Sequence, residues 1–273
     1  MLRLYSYNNS ICTQKVFITL DEKRLDHETR DVNLFANEQF SPEYLRINPN
    51  GVVPALDHDG AIVIESSLIC EYLDETFPSP SLSPATPHGR ARMRLWSKLV
   101  DEYLFEATRE LSFSAMFRER MRNMSEEQRE GRFRNVGDPV KRARLVSTYE
   151  EGVESPYVYE GIGWFERAFA RMERDLAAGG PWLVGDAFTL ADVNMIPFVA
   201  RLDYLGLLDA WFAERPLSRE WWKRSRARPS FMVAIDGKIS DAERAEMLKS
   251  GSAIRERVAA RRENYLRQPR ATA

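Results

Sequence analysis

Residues 51–73, GVVPALDHDGAIVIESSLICEYL, constrain the fold more than any other stretch of the chain. Two short aliphatic runs flank the turn DHDG, which reads as a pair of strands joined by a hairpin. The second run passes into a helical pattern with Leu68, Ile69, Tyr72 and Leu73 on one side. Pro54 has no N–H to give to a sheet ladder, so it belongs at a sheet edge or beside something that binds backbone. The second strand closes on Glu65, Ser66 and Ser67, where a helix begins and its first amides lack partners.

The preceding residues complete a layer around this unit. LRLYSY, residues 2–7, alternates like a strand, and NNS makes a turn. ICTQKVFITLDEK then carries Cys12, Val16 and Leu20 at i, i+4 and i+8, the apolar stripe of a packed helix. HETRDVNL, residues 27–34, reads as a second strand, and SPEYLRINP as a short helix or turn ending before Pro49. The order β-α-β-(α)-β-β-α is that of an α/β layer with a mixed sheet.

Residues 78–87, PSPSLSPATP, have the composition of a linker. Beyond them the chain is helix-rich, with Met93, Trp96, Val100, Tyr103 and Leu104 on one side of a long pattern. Segment 118–152 is dense in Arg and Glu and broken by NVGDP, as expected of solvated helices joined by a turn. GIGWFERAFARMERDLAAGG is an amphipathic helix stopped by glycines. In FTLADV, Thr189 and Asp192 have capping-box spacing, with Phe188 and Val193 at the staple positions, and Pro197 is expected to bend the helix that follows. The division expected is 1–78 as an α/β domain, 79–88 as linker, 89–250 as an all-helical domain and 251–273 as a basic tail, a helix fraying into disorder.

Bulk properties narrow the function. The 273 residues are 44% hydrophobic, enough for a sizeable core, and a formal net charge of -2 argues against nucleic acid as the main partner. No run reaches the roughly 20 apolar residues of a membrane span. The N-terminus lacks the pattern of a secretion signal, and Cys12 and Cys70 do not make a disulfide framework, so a cytoplasmic setting is expected. His27, His58 and His88 lack metal-ligand spacing, and no metal is expected.

Three stretches carry chemistry. At Val53–Pro54, a cis bond leaves the N–H and C=O of Val53 free to pair with an extended peptide, whereas a proline that merely closes an edge strand needs no ligand. At Glu65–Ser66, the amides opening a helix suit a carboxylate and Glu65 an ammonium, whereas ordinary N-capping by Ser66 accounts for the same residues. At NNSICTQKV, Ser10, Cys12 and Thr13 compete to serve a thiolate at a helix N-terminus. Cys12 also fits the apolar stripe as a small buried hydrophobe, and Ser10 also fits as a plain N-cap. Tyr5 and Tyr7, at the end of the first strand, are weaker candidates.

Together INPNGVVPAL, IESSLICEYL and LVGDAFTLADV resemble the glutathione-site and helix-capping signatures of the cytosolic glutathione transferases, over residues 1 to about 245. The resemblance implies a thioredoxin-like N-terminal domain, an all-α C-terminal domain, a homodimer and glutathione as co-substrate. It gives Val53, beside cis Pro54, to the cysteinyl part of glutathione, and Glu65 and Ser66 to the γ-glutamyl end. Gln39 is assigned to the glycyl end, and Asp101 to the glutathione of a partner subunit, where a surface salt bridge is an equal alternative. SICTQKV is similar to the serine-type classes, which makes Ser10 the donor to the thiolate. LWSKLVDEY, the charged stretch MSEEQREGRFRNVGDP and the extended tail resemble bacterial glutathione-dependent β-aryl etherases, and an ungapped alignment to those places Thr13 at the serine.

The implied reaction is attack of the glutathione thiolate on a hydrophobic electrophile, including aryl ether cleavage. Tyr7, Tyr103, Phe113, Met116 and Phe117 are the expected acceptor-pocket lining, although aromatic and Met residues at helical spacing also build cores. Two rival readings stand beside it. One is a non-catalytic glutathione-binding module on the same fold; the other is thiol-disulfide exchange through Cys12, which lacks a C-x-x-C partner.

Overall fold

The computed structural model describes residues 1–34 and 36–268. The first elements are β1 (Leu2–Ser6), α1 (Ile11–Glu22), β2 (His27–Asp31), a 3-10 turn (Glu38–Phe40), α2 (Pro42–Leu45), β3 (Ala55–His58), β4 (Ala61–Ile64) and α3 (Ser66–Thr76). The sheet has the order β2-β1-β3-β4. β1 pairs parallel with β2 and antiparallel with β3, and β3 pairs antiparallel with β4, so the sheet is mixed. β2 stops at Asp31, short of the expected residue 34.

The hairpin between β3 and β4 follows from its turn residues. Asp59 and Gly60 both have positive φ, 51° and 91°, the two-residue turn whose twist matches antiparallel strands. The Gly60 amide donates to Asp57 Oδ1 at 2.7 Å. Pro54 is not at a sheet edge: β3 lies inside the sheet, and Pro54 precedes its first residue, where no ladder N–H is required.

The chain continues through α4 (Pro87–Leu99) and α5 (Phe105–Ser112), with wide π turns at Val100–Leu104 and Phe113–Phe117. Then come α6 (Arg118–Arg122), α7 (Glu126–Asn135), α8 (Pro139–Glu151), α9 (Pro156–Ala177) and α10 (Leu190–Tyr204). The last helices are α11 (Asp209–Phe212), α12 (Pro216–Arg226), α13 (Pro229–Ala234), α14 (Asp241–Ser252) and α15 (Arg255–Arg267). The architecture is a small mixed-sheet, thioredoxin-like N-terminal part followed by a helical C-terminal part. Two compact units result, one made of Met1–Lys98, Asp175–Pro197 and Glu220–Ser240, the other of Leu99–Arg174, Phe198–Arg219 and the chain from Asp241 onward.

In the first unit α1 is buried on every side from Thr13 to Leu20, not along one stripe. α13 and α3 both pack on it, and α13 comes from residues more than two hundred positions later. Glu22 anchors that arrangement by accepting from Arg228 Nε at 2.7 Å and Nη2 at 2.6 Å. Burial starts after Cys12, which is half-buried rather than enclosed as the stripe predicts. The capping box at α10 forms by half. Asp192 Oδ2 accepts the Thr189 amide at 3.0 Å, but the Thr189 hydroxyl serves Ala191, while the Asp192 amide goes to the Thr189 carbonyl. The other oxygen, Oδ1, accepts from the Leu183 amide and Trp221 Nε1, and complete burial pushes the Asp192 carboxyl pKa up.

In the second unit α9 carries two glycines whose hydrogens make room for neighbours. A Cβ on Gly161 would lie 3.0 Å from the Ala107 backbone, and one on Gly163 would lie 2.5 Å from the Tyr265 ring. The tail is therefore not frayed where it is described: α15 docks on α9. Arg262 Nε donates to Glu166 at 2.7 Å, Arg215 reaches the same carboxylate, and Arg261 donates to Glu154 at 2.6 Å. Residues 269–273 of the expected frayed end lie outside the described residues.

Candidate active site

The register gathers three sequence-predicted stretches at one end of the sheet. Tyr5 pairs with Ala55 and Ala55 with Ile64, so the end of β1, the start of β3 and the end of β4 lie side by side. Tyr7 follows β1, Val53–Pro54 precedes β3, and Glu65–Ser66 follows β4. Val53, Val32 and Tyr44 form a small buried cluster, and Tyr5, Tyr7, Leu34 and Ile47 pack against it.

The Val53–Pro54 bond is cis. Among the described residues no backbone hydrogen bond uses the N–H or C=O of Val53. The neighbouring carbonyl is fully engaged: Val52 O accepts from Tyr44 Oη at 2.7 Å and from Asn48 Nδ2 at 2.7 Å. Burial raises the Tyr44 pKa to about 12, which keeps that hydroxyl a donor. The loop that carries Val53 is thus held from behind, while the N–H and C=O of Val53 itself stay uncommitted. Gly51, at φ 61°, allows the close approach of Phe40, whose ring a Cβ there would meet at 2.8 Å.

α3 opens at Ser66, so its N-cap is Glu65, not Ser66 as ordinary capping would have it. Glu65 has φ 68°, sparsely populated for a residue with a side chain, and its carboxylate caps nothing. That carboxylate is exposed and receives Asn50 Nδ2 at 3.4 Å. The first amides of α3 have no intrahelical acceptor and, with the positive end of the helix dipole, suit an anion. Ser66 and Ser67 are buried beneath them.

Ser10 is the N-cap of α1: its Oγ accepts the Thr13 amide at 3.3 Å, and its own amide donates to Tyr7 O at 2.9 Å. An accepting Oγ still has its hydrogen to donate, so capping and service to a thiolate are compatible at one hydroxyl. Thr13 is 0% exposed and its Oγ1 is buried without a hydrogen-bond partner. Gln39 lies in the 3-10 turn, buried, with Oε1 also lacking a partner.

Reading the sequence missed Lys15. It is 0% exposed, and its Nζ donates to Ser67 Oγ at 2.8 Å. Ser67 Oγ in turn donates to Asn194 Oδ1 at 3.4 Å, and Asn194 Nδ2 donates to Ser97 at 2.8 Å. A charged residue flanked by Gln14 and Val16 gives no signal of burial, because its partner Ser67 lies 52 positions away on α3.

The remaining candidates belong to the second unit. Asp101 is exposed in the first π turn. Tyr103 stacks on Trp164 with ring centroids 3.6 Å apart. Phe113 and Phe117 are half-buried, and Met116 is a core residue at 8% exposure.

Comparison with known proteins places this geometry in a family. The model described as "Glutathione S-transferase, N-terminal domain" matches residues 4–81, and "Glutathione S-transferase, C-terminal domain" matches residues 157–224. Protein LigF of Sphingobium sp. is 32% identical over 254 residues, covering 91% of this chain and 96% of that protein. The crystal structure of the β-etherase LigF from the same strain superposes with a TM-score of 0.75 at 31% identity, over 86% of this chain and 99% of that one. Maleylacetoacetate isomerase of Pseudomonas aeruginosa is 30% identical over 239 residues, 85% of this chain and 95% of that protein.

Proposed function

The chain belongs to the glutathione S-transferase family, with glutathione as co-substrate, and on that premise we propose that it is a glutathione-dependent β-aryl etherase. The uncommitted N–H and C=O of Val53, two residues before the Ala55 that pairs with Ile64 at the end of β4, are the observation that supports the glutathione site. In this reading Val53 pairs with the cysteinyl backbone, the amides at Ser66 hold the γ-glutamyl carboxylate, and Glu65 takes its ammonium. Gln39 serves the glycyl end, and Asp101 the glutathione of a partner subunit in a cytoplasmic homodimer. Residues 1–78 form the glutathione-binding domain, and residues 89–250 supply the acceptor side through Tyr103, Phe113, Met116 and Phe117.

Ser10 donates its hydroxyl hydrogen to the glutathione sulfur, helped by the N-terminus of α1. A free thiol with pKa about 8.5 is only a few per cent ionised at neutral pH, and lowering it by about two units, ~2.7 kcal/mol, makes most of it thiolate. Thr13, whose hydroxyl is enclosed, is the poorer donor. The thiolate attacks the carbon bearing the aryloxy group; a C–S bond forms, the C–O bond breaks, and the aryloxide leaves with the electron pair and takes a proton from water. Similarity to a β-etherase along almost the whole length of both chains supports this choice of acceptor over other electrophiles.

The test is glutathione-dependent release of a chromogenic phenol from a β-aryl ether, with calorimetry of glutathione binding alongside. Turnover that needs glutathione is expected. Glutathione binding without ether cleavage, but with isomerisation of maleylacetoacetate, would replace the etherase reading with the isomerase one. No heat from millimolar glutathione would remove both.

A further inference from the structure

The carboxylate of Glu65 hangs from a backbone that is held on both sides. Ile64 is paired with Ala55 in the sheet, and the Glu65 carbonyl accepts the Ile69 amide at 2.8 Å, the first bond of α3. With φ at 68° as well, the freedom left to the residue lies in its side chain. An exposed glutamate turns among several rotamers. Holding one of them for a ligand costs binding free energy unless the protein has favoured it beforehand.

Asn50 supplies that preference. Its Nδ2 donates to Glu65 Oε1 at 3.4 Å, the one hydrogen bond that the carboxylate receives among the described residues, and Oε2 stays open. The bond is long, so its effect is a bias and not a lock. The donor itself is well anchored. The Asn50 amide donates to Asn48 Oδ1 at 3.1 Å, and Asn48 is 1% exposed. Asn48 Nδ2 donates to Val52 O at 2.7 Å, and the Gly51 amide returns to Asn48 O at 3.0 Å. One buried carboxamide therefore fixes two things at once: with its oxygen the residue that reaches Glu65, and with its nitrogen the residue that precedes Val53.

The two ends of the proposed glutathione site are thus set from a common anchor. On the premise of that site, we propose that Asn50 is a positioning residue for the γ-glutamyl ammonium. It acts through Glu65, holding the carboxylate in the rotamer that meets the ligand's positive charge, and has no part at the sulfur. Asn50 accordingly favours peptides whose γ-linked residue keeps a free amino group over those that lack one. Its side chain is exposed and can be changed without opening the core.

Calorimetry on the full chain with two ligands tests this: glutathione, and its des-amino analogue glutaryl-cysteinyl-glycine, in which hydrogen replaces the ammonium. Asn50→Ala raises the glutathione Kd about threefold to tenfold, the worth of ordering one flexible side chain in advance. The Kd of the analogue stays within about twofold, as for uncoupled groups. In a Glu65→Ala background, the same substitution changes the glutathione Kd by no more than about twofold. Asn50→Leu, matched in size but without a donor, gives the same pattern and carries the test if the alanine variant does not fold. Equal weakening of both ligands would make Asn50 ordinary loop support and overturn the proposal. So would unchanged glutathione affinity, or an undiminished effect once the Glu65 carboxylate is gone. No heat from wild type with millimolar glutathione would remove the glutathione site itself, and this proposal with it. A failure confined to the Asn50 variants leaves that site and the etherase reading standing.

Discussion

Lys15 Nζ donates to Ser67 Oγ at 2.8 Å, although the two lie on different helices and both are buried. This contact ties the second turn of α1 to the first turn of α3, the turn whose amides face the proposed carboxylate. It fixes where those amides point, and it puts a positive charge behind them.

Lys15→Met removes the charge and the donor while keeping most of the volume. A loss of about 1–3 kcal/mol in unfolding free energy is expected, as for a severed buried polar link. Glutathione affinity should fall as well, and Lys15→Arg should recover part of it. Denaturant melts and calorimetry on the three proteins check this; unchanged affinity in the Met variant would detach Lys15 from the site.

Ser10 and Thr13 separate cleanly by exposure. Ser10→Gly keeps the cap within a few tenths of a kcal/mol, about the difference between serine and glycine at an N-cap, but deletes the donor. Turnover should drop about 10²-fold, the usual worth of one donor to a developing anion. Thr13→Val fills the same buried space without a partnerless hydroxyl and should leave turnover and stability nearly unchanged. Kinetics with glutathione and a chromogenic ether, paired with thermal melts, give the answer.

Tyr44 gives a pH signature. Its folded pKa, about 12, lies above the ordinary tyrosine value near 10, so the neutral phenol is favoured in the folded state. The stability it confers is complete below pH about 10 and is lost as pH rises through about 12. Wild type should therefore lose stability relative to Tyr44→Phe over that window, and ultraviolet titration of the variant should lack one late-ionising phenol.

Glu166 holds the tail. It is 3% exposed and takes both Arg215 and Arg262. Glu166→Leu strands two largely buried guanidiniums and should cost about 3–5 kcal/mol, the usual penalty for breaking a buried pair from one side. Limited proteolysis should then cut around α15 well before the rest of the chain.

The α/β half was legible because its signals are local. Alternation in residues 2–6, the Asp59–Gly60 turn and the helix after Ser66 each arise within a few residues. Val53–Pro54 could likewise be singled out by the missing N–H alone. What escaped depends on contacts remote in sequence. Lys15 reads as a solvated charge until α3 brings Ser67 to it, and Cys12 reads as buried because its stripe continues to Val16 and Leu20. The tail reads as a fraying basic helix because neither the hollow at Gly163 nor the carboxylate of Glu166 is visible from residues 255–267.

Glu65 bends at φ 68°, a conformation that asparagine or glycine adopts with less strain and that costs a residue like glutamate about 1–3 kcal/mol. Its carboxylate does nothing for the helix it introduces. In the proposed reading this awkward corner answers a demand made by a guest molecule, not by the folding of the host.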